Sequence, residues 1–117
     1  MAMRVPVPTG SVTDLTAGLR RDVTVDEVNE AFRRFGAQPG LQGIFAVTDD
    51  EIVSQDIVKD VHSSVVDANS TAVLDGRVVK VVAWYDNEWG YAARLVDFAR
   101  YVIEKARERD QEEQAAA

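Results

Sequence analysis

Residues 84–91, Trp84-Tyr85-Asp86-Asn87-Glu88-Trp89-Gly90-Tyr91, place four aromatic rings and three polar side chains within eight positions. Two uses of such a segment are open. Trp84, Trp89 and Tyr91 can fill a core while Asp86 or Asn87 caps a following helix. Alternatively Asn87 belongs to a binding site, because a side-chain amide both donates and accepts and so matches another amide, such as a carboxamide. Elsewhere the chemistry is sparse. The single histidine, His62, stands among Asp60, Ser63 and Ser64. One histidine does not assemble a zinc site, and neighbouring strand residues point to opposite faces, which argues against a His62–Ser63 base and nucleophile pair. The carboxylates of Asp49, Asp50 and Glu51 read as a solvated turn and receive no role. Gly36, Gly40 and Gly43 are spread over loops and form no phosphate-binding pattern. The chain has no cysteine, which excludes a disulfide framework, a thiolate metal site and a cysteine nucleophile within these 117 residues.

The elements that must position these groups follow from periodicity. Val12, Asp14 and Thr16 alternate with Thr13 and Leu15 after two prolines, the pattern of an edge or bulged strand. Thr24-Val25-Asp26-Glu27 has the spacing of a capping box, and Val25, Val28, Phe32 and Phe35 recur at helical intervals up to Gly36. Residues 43–47 read as a short apolar strand, 52–59 fit neither period, and 62–67 and 71–74 read as two further strands. Asp75-Gly76 marks a tight hairpin into Arg77–Trp84, which is the most apolar strand and belongs in the centre of the sheet. From about Glu88, Tyr91, Leu95, Phe98 and Val102 mark one face of a long helix expected to pack on that sheet. Residues 1–106 then form the folded unit. Residues 107–117 keep helix propensity without an apolar stripe and are expected to fray as a polar tail. The fold class is α+β: a mixed, largely antiparallel sheet with helices packed on one face.

Thirteen Lys and Arg against 20 Asp and Glu leave a net charge of −7, which repels phosphate backbones and argues against a nucleic-acid partner. No run approaches the ~18 apolar residues of a membrane span, and no basic-then-apolar leader is present, so the expectation is no membrane and a cytoplasmic location.

The segment WYDNEWGY followed by Arg94-Leu95-Val96-Asp97 resembles the C-terminal signature of glyceraldehyde-3-phosphate dehydrogenase. Residues 1–8 through Thr13-Asp14-Leu15, the helix from Val23, and Asp49–Asp56 on to His62-Ser63-Ser64 resemble the same family in the same order, up to about residue 103. Val61 stands where that family usually has proline, and Ala92 and Ala93 replace small polar residues. The resemblance is to the last third of the enzyme only. It implies that the dinucleotide-binding half, the catalytic cysteine and the general-base histidine lie outside this sequence, and that His62 is not that base. It also implies that Arg4 binds substrate or inorganic phosphate through its guanidinium fork, and that Asn87 contacts the nicotinamide carboxamide. Tyr91 is implied to line the cofactor site, and Tyr85 the same neighbourhood. In the complete enzyme a cysteine thiolate attacks the aldehyde, hydride passes to NAD, and phosphate releases the acyl group. This chain would supply binding groups and no catalytic residue, so NAD is not expected to bind tightly to it alone. The alternative is a non-catalytic interaction or oligomerisation module derived from the family. Either way, an open strand edge and a helix whose aromatics once faced the cofactor domain imply partners: a homo-oligomer, or a chain carrying the missing cofactor-binding half.

Overall fold

The computed structural model describes residues 1–3 and 6–115. Its elements are β1 (Ala2–Met3), β2 (Ser11–Gly18), α1 (Val25–Gly36), a 3₁₀ turn (Pro39–Leu41), β3 (Phe45–Thr48), β4 (Ser64–Leu74), β5 (Val78–Tyr85) and α2 (Asn87–Ala115). The strands form one sheet in the order β1-β2-β5-β4-β3, antiparallel except for the parallel β3–β4 pair. The apolar strand β5 is indeed central. Its alternation splits the sheet into two faces: Val79, Val81 and Ala83 join Val66 and Val28 in the main core, while Lys80 pairs with Asp14 across the other face at 2.9 Å. The α+β class and the mixed, largely antiparallel sheet are as the sequence predicts.

Helix α1 begins as its sequence specifies. Thr24 Oγ1 accepts from the Glu27 N–H at 3.2 Å, and Glu27 Oε2 accepts from the Thr24 N–H at 2.8 Å, so the capping box is closed in both directions. Its apolar face lies over β3 and β4, where Phe45 stacks on Phe32 at 6.1 Å and meets Phe35 edge-on at 5.3 Å. The hairpin also follows the sequence: Asp75 and Gly76 take φ of 48° and 71°, the paired positive values that a type I′ turn requires.

Two expectations need correction. The two strands expected at 62–67 and 71–74 are one strand, β4, broken by a bulge between Asp67 and Ala72. The Asp67 carboxylate holds the bulge by accepting from the N–H groups of Asn69 and Ser70, each at 3.1 Å, and from the Ser70 hydroxyl at 2.8 Å. Ala68-Asn69-Ser70 thus imitates a linker in sequence while remaining inside a strand. Second, only α1 packs on the sheet. Helix α2 leaves the end of β5 and projects outward, with Leu95, Phe98 and Val102 52, 63 and 49 % exposed. The molecule is elongated as a result, 63 × 39 × 22 Å. Helix α2 runs past Ala106 to Ala115. Periodicity identifies the face that wants burial and says nothing about whether the chain itself can bury it. Among the described residues, no helix is long and apolar enough to cross a membrane.

Candidate functional site

Asp86, 3 % exposed, joins three separate segments at the β5–α2 junction. Its Oδ1 accepts from the N–H groups of Glu88 (3.1 Å) and Trp89 (2.9 Å), capping α2 in the way its position suggests. The same oxygen accepts from the Thr9 hydroxyl at 3.0 Å, and Oδ2 accepts from the Lys59 N–H at 2.8 Å. Burial pushes this carboxyl up, but the Trp89 and Lys59 N–H groups, the Thr9 hydroxyl and the Glu88 N–H together hold it below the ordinary aspartate value. An ionised, fully partnered carboxylate therefore fixes the first turn of α2 against the loops around residues 9 and 59. Gly90 completes the fit: a Cβ there would stand 3.0 Å from the His62 carbonyl oxygen, so any other residue would press the helix and the 60–63 segment apart by a few tenths of an ångström.

Beside this junction lies a small pocket of ≈ 230 Å³ whose lining includes Ser63, Tyr85, Asn87, Tyr91 and Arg94. Ser11 donates its hydroxyl to Asn87 Oδ1 at 3.3 Å, which orients the amide at the pocket mouth. The two tyrosines come from different elements, Tyr85 from the last residue of β5 and Tyr91 from the second turn of α2. Arg94 braces the opposite side, with Nη2 2.8 Å from Asp97 and Nη1 donating weakly to the Gly43 carbonyl at 3.4 Å. Among the described residues its Nε is buried without a partner. Two aromatic walls and one amide can receive a flat ring that carries a carboxamide: the rings supply apolar contact, and the amide reads donor and acceptor together.

Of the residues singled out from sequence, Asn87, Tyr91 and Tyr85 therefore meet in one pocket. Arg4 lies outside the described residues. The idea that Trp89 and Tyr91 fill a core does not hold, since they are 46 and 67 % exposed, and the Lys59 ammonium lies 6.0 Å from the Trp89 ring. His62 is not on a strand. Its Nδ1 and its N–H both meet Asp60 Oδ1, at 2.8 and 2.7 Å, so the ring closes a local turn. Asp49 pairs with Arg33 on the surface. Thr9, Ser11, Lys59 and Arg94 were not found from sequence. The first two stand 77 and 76 positions from their partners, and no local pattern announces such a contact.

A sequence model described as "Glyceraldehyde 3-phosphate dehydrogenase, C-terminal domain" matches residues 1–87. The chain belongs to the glyceraldehyde-3-phosphate dehydrogenase family. Its relatives include the glyceraldehyde-3-phosphate dehydrogenase of Streptomyces coelicolor, 53 % identical over 102 residues, which are 87 % of this chain and 30 % of that protein. Glyceraldehyde-3-phosphate dehydrogenase 2 of Bacillus subtilis is 49 % identical over 102 residues, again 87 and 30 %. The Mycobacterium avium enzyme is 54 % identical over 101 residues, 86 and 29 %. The chain thus spans about 30 % of the length of these glyceraldehyde-3-phosphate dehydrogenases, and it is a C-terminal-domain portion of the family fold.

Proposed function

We propose that this chain acts as the binding portion of a glyceraldehyde-3-phosphate dehydrogenase and works only with a portion carrying a nucleophilic thiolate and a dinucleotide-binding domain. The observation that carries this reading is the convergence of Asn87, Tyr85 and Tyr91 on one pocket in a chain of this family. Its shape and donor set fit the nicotinamide end of NAD, with Asn87 holding the carboxamide and Tyr91 lining the ring site. Bound there, the cofactor would supply the hydride acceptor. Arg4 is assigned to the substrate or inorganic phosphate. No residue here can form a thiohemiacetal, since the chain has no cysteine, so it has no dehydrogenase activity by itself. The reading places the protein in the cytoplasm.

Co-expression with the remaining N-terminal portion of the Streptomyces coelicolor relative tests this. The expected result is glyceraldehyde 3-phosphate-dependent reduction of NAD by the pair and none by either part. Asn87→Ala should raise the KM for NAD about tenfold, as loss of one hydrogen-bonding group to a bound ligand does. A complex that forms and turns over with an unchanged KM in the Asn87→Ala variant would overturn the site assignment.

A second reading, an interaction module without catalysis, is favoured by one observation: the apolar side of α2 lies open over residues 91–103. A pair that assembles without activity would select it.

A further inference from the structure

Two hydroxyls from one short segment reach three consecutive residues at the start of α2. Thr9 Oγ1 lies 3.0 Å from Asp86 Oδ1 and 2.9 Å from Glu88 Oε2, so its one proton is shared between the residues on either side of Asn87. Ser11 donates to Asn87 Oδ1 at 3.3 Å. The strand ladder explains this second contact. Ser11 opens β2 directly opposite Tyr85, the last residue of β5, so the two side chains share a face of the sheet, and Asn87 follows two positions later. Between the two hydroxyls Gly10 takes a φ of 99°, and a Cβ on it would stand 3.1 Å from the Ser54 carbonyl oxygen. The bend that presents Thr9 and Ser11 to the helix start is therefore one that suits glycine.

Burial gives the Ser11 contact its weight. Ser11 is 7 % exposed, so water competes little for its hydroxyl, and its partner is a side-chain oxygen rather than backbone. Alanine would fill the same space almost as well; what the hydroxyl adds is a direction. A side-chain amide has a donor end and an acceptor end that exchange places by a half-turn, and a donor held on Oδ1 selects one of the two arrangements. A pocket that reads a carboxamide gains by having that choice made before the ligand arrives. We propose that Thr9 and Ser11 are positioning residues for the pocket of Tyr85, Asn87 and Tyr91. Thr9 fixes where Asn87 stands, through its neighbours Asp86 and Glu88, and Ser11 fixes which way its amide faces. Resting on the nicotinamide reading of that pocket, this assigns part of the preference for a carboxamide to the segment that enters β2, outside the residues that touch the ligand.

The co-expressed pair described above, supplied with NAD or with its acetylpyridine analogue, tests the assignment. The analogue carries a methyl ketone in place of the carboxamide, so it keeps the acceptor and lacks the N–H donors. Ser11→Ala should lower the preference for NAD over the analogue, read as the ratio of kcat/KM values, about threefold to tenfold, the worth of one oriented hydrogen bond. Thr9→Val should raise both KM values by a similar factor and leave that ratio alone, because it moves the residue without turning its amide. A ratio unchanged in Ser11→Ala would overturn the proposal, as would wild-type KM values in Thr9→Val. An inactive pair would count against the catalytic reading, and the chain by itself then decides the positioning. In an isotope-labelled sample the Asn87 side-chain amide should be as rigid as the backbone by heteronuclear NOE, and mobile in Ser11→Ala. An amide equally rigid in both chains would overturn the role of Ser11.

Discussion

The first turn of α2 and the remainder of the same helix are opposite cases. At the start, Asp86 ties the helix to residues 9 and 59 through hydrogen bonds of 2.8–3.1 Å, and Gly90 lets it close against His62. Beyond Leu95, every residue is exposed up to Ala115, although Leu95, Phe98 and Val102 stand there at helical spacing. The difference teaches that the orientation of α2 is set by directional polar contacts at one end. The hydrophobic face, ordinarily the main source of helix stability, contributes nothing until a second surface meets it.

Substitutions should separate the two regions by size of effect. Asp86→Ala should be the most damaging. It removes the cap and leaves the Lys59, Glu88 and Trp89 N–H groups without their acceptor, while the Thr9 hydroxyl keeps Glu88 Oε2 at 2.9 Å, and ~3 kcal/mol of unfolding free energy should be lost in urea titrations. Because the folded-state pKa of Asp86 is depressed, its contribution is fully present above the unfolded value near 3.8 and is lost as pH falls through the folded value. An acid titration of wild type against Asp86→Asn should diverge above that window and converge below it. Gly90→Ala should come next, at ~1–3 kcal/mol, since its new Cβ meets a backbone oxygen that must shift. Phe98→Ala should be nearly silent, within ~0.5 kcal/mol, in the dilute single chain followed by tryptophan fluorescence. A large loss there would show that α2 already has a partner surface and would erase the contrast.

Legibility from sequence follows the same division. The Thr24–Glu27 capping box, the Asp75-Gly76 turn and the central position of β5 were readable because each is encoded within a few consecutive residues. Asn87 could be nominated from its amide at a strand-to-helix junction, whereas Tyr85 and Tyr91 came only through the family resemblance. The continuity of β4 was not readable, since the carboxylate that makes the bulge tolerable looks in sequence like the start of a turn. Nor were the Thr9 and Lys59 contacts to Asp86, which depend on loops meeting across the fold. For α2, periodicity showed which side is apolar, but the direction of the helix depends on how β5 ends.

An outward helix also alters how the protein moves through solution. Its radius of gyration is 18.3 Å, against the ~13 Å expected of a compact chain of this length. A body of that shape drags like a heavier sphere, so a single copy should elute early from a sizing column and its overall tumbling should be anisotropic.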